Sequence, residues 1–172
     1  MTRFLSWTVL LGALVAATSS VTLGQNLPLT TTATGVMLHA APATVTLAPL
    51  PAFAPALTNA QADRVPIVLA IEGVAGQPAQ PVRINVFVGK PDADANTSTD
   101  DPHFVGYIAI APKYGADKSS GREIGRSFDV SNLDFGTGTT GLPVTLVPVT
   151  GIAEAPQDLS LSVRQIGFHR GE

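Results

Sequence analysis

The stretch VRINVFVG, residues 82–89, alternates strictly: Val82, Ile84, Val86 and Val88 fall on one face, Arg83 and Asn85 on the other. A period of two marks a half-buried strand, whereas a helix repeats every ~3.6 residues. The same pattern returns in HFVGYIAIAP, with Phe104, Gly106, Ile108 and Ile110 on one face, and in DLSLSVRQIGF, with Leu159, Leu161 and Val163 on one face. In the latter, Ile166 and Phe168 resume out of phase, which predicts a β-bulge near Arg164 and Gln165. VPIVLAIEGV (65–74) reads as a buried strand, RSFDV as a short one, and LPVTLVPVTG as a strand that Pro148 sends to a sheet edge. No segment shows a convincing helical period. The 16 Gly and 14 Pro cut the chain into short pieces. About seven or eight strands separated by turns predict an all-β antiparallel β-sandwich, jelly-roll or Greek-key-like. Its core is expected to include Ile67, Leu69, Ile71, Val86, Ile108, Leu146 and Leu161.

Hydrophobic residues make up 45% of the chain and aromatic ones only 6%, so Val, Ile, Leu and Ala must fill that core. With 10 basic and 13 acidic residues, nothing attracts nucleic acid. There is no cysteine, which excludes disulfides, thiol nucleophiles and thiolate metal sites. Residues 1–24 have the order of a secretory signal peptide: one charge at Arg3, an apolar run to about Ala17, then small residues. The run is short for a membrane span, which needs about 20 apolar residues. The expected location is secreted or periplasmic, with no membrane contact apart from the signal segment. Residues 25–62 are rich in Ala, Thr and Pro and read as a linker with one strand, in ATVTLAPL; 25–38 are expected to be poorly ordered. The sandwich is expected over 63–172.

The loop PDADANTSTDDPHF places Asp92, Asp94, Asn96, Ser98 and Asp100 on alternate positions, as in a calcium loop. A helix–loop–helix calcium site also needs Gly at loop position ~6 and a bidentate Glu at ~12. Thr97 and His103 stand there instead, between strands. The expectation is a connector held by its own turn chemistry, with weak calcium binding over Asp92 to Asp101 left open. Asn96 heads a glycosylation sequon, NTS. His39, His103 and His169 are far apart and unpaired in sequence, so neither copper nor zinc is expected. No nucleophile elbow, phosphate loop or dinucleotide fingerprint occurs. Glu72, Asp129 and Asp134 are expected in surface or turn roles. No catalytic, cofactor-binding or metal residue is assigned.

The segments VRINVFVG, DPHFVGYIAIAP, RSFDVSNL, VTLVPVTG and LSLSVRQIGF, in that order, resemble the C-terminal domain of polyphenol oxidases and tyrosinases, named for its K-F-D-V motif. The resemblance spans about Asp63 to Phe168. Two positions depart from the family: Ile84 replaces its Phe, and Asn85 replaces its Asp, removing any ion pair made there. The family's copper-binding catalytic domain has no counterpart in these residues, so its oxidase activity is not implied.

What the resemblance implies is a non-catalytic secreted accessory domain. It would act in trans as lid, assembly helper or inhibitor of a separate type 3 copper oxidase. The loop APKYGADKSSG supplies the candidate partner-contact residues, Lys113 and Tyr114, because a phenol side chain is able to plug an apolar funnel. The alternative is a structural or ligand-binding β-sandwich module with no oxidase partner. Discriminating between them requires a neighbouring reading frame or a binding experiment.

Overall fold

The computed structural model describes residues 27–63, 65–112, 123–135, 141–151 and 158–171. Alternating apolar segments form eight strands: β1 (Ala33–Leu38), β2 (Ala43–Leu47), β3 (Ile67–Gly76), β4 (Val82–Val88), β5 (Phe104–Ile110), β6 (Ile124–Asp129), β7 (Leu142–Val149) and β8 (Leu161–Arg170), with one helix, α1 (Phe53–Asp63). Two four-stranded sheets run β1-β8-β3-β6 and β2-β7-β4-β5, all neighbours antiparallel. Apart from the β4–β5 hairpin, successive strands cross between the sheets, in the winding of a jelly roll.

The inward faces meet in one core. Ile67, Leu69, Ile71, Val86, Ile108, Leu146 and Leu161 are all buried in it. Each large aliphatic side chain taken out of water contributes ~1.5–3 kcal/mol, which lets a core poor in aromatics hold.

Several elements differ from the sequence reading. The linker expected over 25–62 holds two strands and most of the helix, and the stretch expected to be poorly ordered contributes β1 to a sheet. β1 pairs with β8 and β2 with β7. Leu29 is buried, and its N–H donates to Phe168 O at 2.8 Å while its carbonyl accepts from Leu50 N at 2.8 Å. Helix α1 begins where the Leu50 carbonyl accepts from Phe53 N at 2.9 Å. Pro55 is tolerated in its first turn, where an N–H has no helical acceptor. Phe53 then docks edge-on against Phe135 and Phe168, ring centroids 5.5 and 6.4 Å away.

The phase change in β8 is not a one-strand bulge. Register runs evenly from Ile67↔Arg170 to Gly76↔Leu161, and from Ala33↔Ile166 to Leu38↔Leu161. Arg164 therefore lies opposite both Gly73 and Gly35, which take the left-handed φ values +64° and +65°. All three strands switch phase on the same row, so Ile71 and Val74 both face inward, as do Ile166 and Val163. The register shift appears one strand further on, between β3 and β6.

Pro148 is not on an edge strand either: β7 is central. The Pro143 carbonyl accepts from Gly89 N, so position 143 faces β4. Backbone polar groups alternate sides along a strand, which turns Pro148 toward the β2 side. There β2 has already ended, at the pair Ala43↔Leu146, so no ladder bond is forfeited.

Candidate partner-contact face

Lys113 and Tyr114 lie outside the described residues.

In the acidic loop after β4, the carboxylates of Asp92, Asp94 and Asp101 are engaged within the loop. The Lys90 ammonium lies 3.7 Å from Asp92 and 3.5 Å from Asp101. Asp94 Oδ1 accepts from Thr97 Oγ1 at 3.0 Å and from Asn96 N at 3.0 Å. These bonds, the Thr97 hydroxyl foremost, hold the Asp94 carboxyl below the usual range. Asp101 Oδ1 accepts from His103 N at 2.9 Å, and that bond, with the Lys90 charge behind it, lowers Asp101 likewise. The same Asx and hydroxyl turns that fit a calcium loop on paper thus close on the loop's own backbone.

The loop also has an apolar underside. Ala93 is buried with Phe87, Val147 and Val149, and Ala95 and Phe104 pack against them. The loop is thus a cover laid on the outer face of the β2-β7-β4-β5 sheet, tied down by Thr145 Oγ1 donating to Lys90 O at 2.9 Å. Phe104 joins this outer cluster because β4–β5 register shifts between Val86 and Phe87, pairing Phe104 with Phe87. The alternation of Ala93 and Ala95 with acidic residues was the sequence signal for it.

The histidines stay apart. His39 Nδ1 meets Leu159 O at 3.3 Å, His103 Nδ1 meets Val88 O at 2.8 Å, and His169 pairs with Val68 across β8–β3. Among the described residues no three His, Asp or Glu side chains converge on a metal-sized point. Glu72 lies 3.7 Å from Arg164, which also meets Glu123 at 3.5 Å. Asp129 accepts from Ser131 Oγ at 2.6 Å. Neither pairs with the other as acid and base.

Beside the covering loop, the outer face of β4 and β5 offers contact groups. Asn85 pairs with Tyr107, and Arg83 with Ala109. Tyr107 is 49% exposed, and Arg83 Cζ lies 5.7 Å from its ring centroid. Asn85, 3% exposed, keeps its Oδ1 without a hydrogen-bond partner. A cavity of about 240 Å³ runs along Pro81, Arg83, Ala109, Ala111 and Val149. An aromatic ring clamped by a guanidinium, next to a shallow apolar groove, has the composition that protein interfaces favour.

No family model and no curated protein matches the sequence. Solved structures do match in fold. A latent aurone synthase, a polyphenol oxidase from natural source, is 20% identical with a TM-score of 0.51, over 78% of this chain and 25% of that chain. Its recombinantly expressed form is 23% identical with a TM-score of 0.52, over 76% and 24%. Latent apple tyrosinase is 15% identical with a TM-score of 0.55, over 80% and 27%. The chain spans about a quarter of the length of these proteins. It shares the β-sandwich fold of one region of latent polyphenol oxidases and tyrosinases, in keeping with the resemblance its motifs carry to their C-terminal domain.

Proposed function

We propose that this chain is a non-catalytic accessory sandwich that binds a separate type 3 copper oxidase and covers or assembles it. The observation that carries this reading is the fold it shares with a region of oxidases whose names describe them as latent. A rigid two-sheet platform suits a covering role, because its exposed groups are held in place without their own ordering cost. The Arg83–Tyr107 pair supplies such groups, and the signal-like start of the sequence supports export.

The test is co-expression with a tyrosinase-type oxidase, followed by pull-down and a phenol oxidation assay. A complex with altered oxidase activity or copper loading is expected, weakened by Tyr107→Ala. The chain alone, with copper added, is expected to oxidise no phenol. Absence of a complex together with unchanged oxidase activity would remove this reading. A ligand-binding module without an oxidase partner would then be the better account, a reading favoured by a larger cavity at the end of the sandwich.

A further inference from the structure

At the end of the sandwich that carries α1, a cavity of about 390 Å³ opens between the turn after β4, His103, residues 133–135 and the start of β7. Val88, Leu133, Phe135, Leu142 and Pro143 give it apolar walls, and His103 and Asp134 are its polar side chains. Its size lies at the lower end of the ~300–1,000 Å³ typical of small-molecule sites, which combine apolar walls with a few fixed polar groups.

The His103 ring is fixed. Its backbone N–H donates to Asp101 Oδ1 at 2.9 Å, its carbonyl accepts from Val88 N at 2.9 Å, and its Nδ1 lies 2.8 Å from Val88 O. Gly89 allows this approach: at φ +79° a Cβ there would lie 3.0 Å from Nδ1. A backbone carbonyl only accepts, so Nδ1 carries the proton and Nε2 of the neutral ring is an acceptor. With Nδ1 engaged by Val88 O, Nε2 is the ring's remaining acceptor at the cavity that His103 lines.

The geometry points to a binding site for a small neutral molecule with one aromatic ring and one hydroxyl. The ring lies against Leu133, Phe135, Leu142 and Pro143, and the hydroxyl donates to His103 Nε2. A neutral Nε2 accepts and has no proton to give, so a carboxylate, which also only accepts, finds no partner there. This reading is independent of any oxidase partner, because the chain alone performs the binding.

The test titrates the intact chain with benzyl alcohol, benzyl methyl ether and benzoate, read by calorimetry and by the ¹⁵N shifts of the histidine rings. Saturable binding of benzyl alcohol is expected, about tenfold tighter than the ether, which lacks the donor, with a shift at His103 Nε2. Benzoate is expected to bind more weakly than the alcohol. Leu133→Trp fills the cavity away from His103 and is expected to abolish binding in a chain that still melts cooperatively. No saturable binding by the unaltered chain, equal affinity for alcohol and ether, or undiminished binding by a folded Leu133→Trp chain would each overturn the proposal. The comparison of alcohol with ether needs no variant, so a misfolded substitution leaves the test intact.

Discussion

Gly73 and Gly35 share one backbone conformation and differ in surroundings, which separates two costs. A Cβ at Gly73 would lie 2.5 Å from Arg164 Cβ, whereas one at Gly35 meets nothing within 4 Å. Gly35→Ala is expected to cost about 1 kcal/mol, for left-handed backbone alone. Gly73→Ala is expected to cost roughly 1 kcal/mol or more beyond that, because the clash is with an atom next to the opposing backbone. Urea denaturation of the two variants reads the difference. In the core, Ile108→Ala is expected to cost ~2–5 kcal/mol by the same measurement. Asp94 and Asp101 make a prediction in pH. Both carboxyls are held below the ordinary aspartate pKa of 3.8 in the folded chain, by the Thr97 hydroxyl at Asp94 and the His103 amide at Asp101. A depressed folded pKa gives stability that is complete above the unfolded pKa and is lost as pH falls through the folded one. The loop's amides, Asn96 and His103 first, are therefore expected to lose hydrogen-exchange protection below about pH 3.8 and to keep it near neutrality.

At the scale of elements, β4 was fully legible because its inward residues are all Val or Ile at strict period two. Phe104 was not. Its alternation with Gly106 and Ile108 holds in sequence, but a register shift opposite Phe87 turns it to the other face. The rule that sends proline to an edge strand holds where ladder bonds form on both sides, and β2 is too short to reach Pro148. The phase change in β8 was visible in its residues. The two glycines that absorb it sit on β1 and β3, far away in sequence, so one strand alone pointed to a bulge. Helix α1 was hidden by Pro55 and by the weak polarity contrast of its Ala-rich residues. What orders it is tertiary: Phe53 in a three-ring cluster with Phe135 and Phe168, the latter two 6.0 Å apart. Phe53→Ala is expected to cost ~3–5 kcal/mol in thermal or urea denaturation, and helix signal in far-ultraviolet circular dichroism is expected to fall with it. Little of the contact face could be read in advance. Arg83 and Tyr107 are ordinary outward residues of two strands, and only the β4–β5 register brings them together.

For the whole molecule, the jelly roll makes the N-terminal strands structural members rather than a lead-in. β1 and β2 each close one side of a sheet against β8 and β7, strands from the other end of the sequence. A chain starting at residue 63, where the charged and strongly patterned part of the sequence begins, would retain six strands and every motif that resembles the oxidase domain. It would also expose the β8 and β7 edges, uncover the core beneath Leu29, Leu38 and Leu47, and strip Phe53 from the aromatic cluster. Unpaired backbone along two strand edges invites association between chains, and the three leucines alone withdraw several kcal/mol from a domain with only ~5–15 kcal/mol in hand. The chain from residue 63 is thus expected to aggregate or to melt without a cooperative transition. The chain from residue 27 is expected to unfold cooperatively, at a temperature close to that of the full sequence. Differential scanning calorimetry of the two truncations decides it. Cooperative melting of the shorter chain would place the sandwich boundary at 63, and would reduce β1, β2 and α1 to an appendage on a self-sufficient six-strand core.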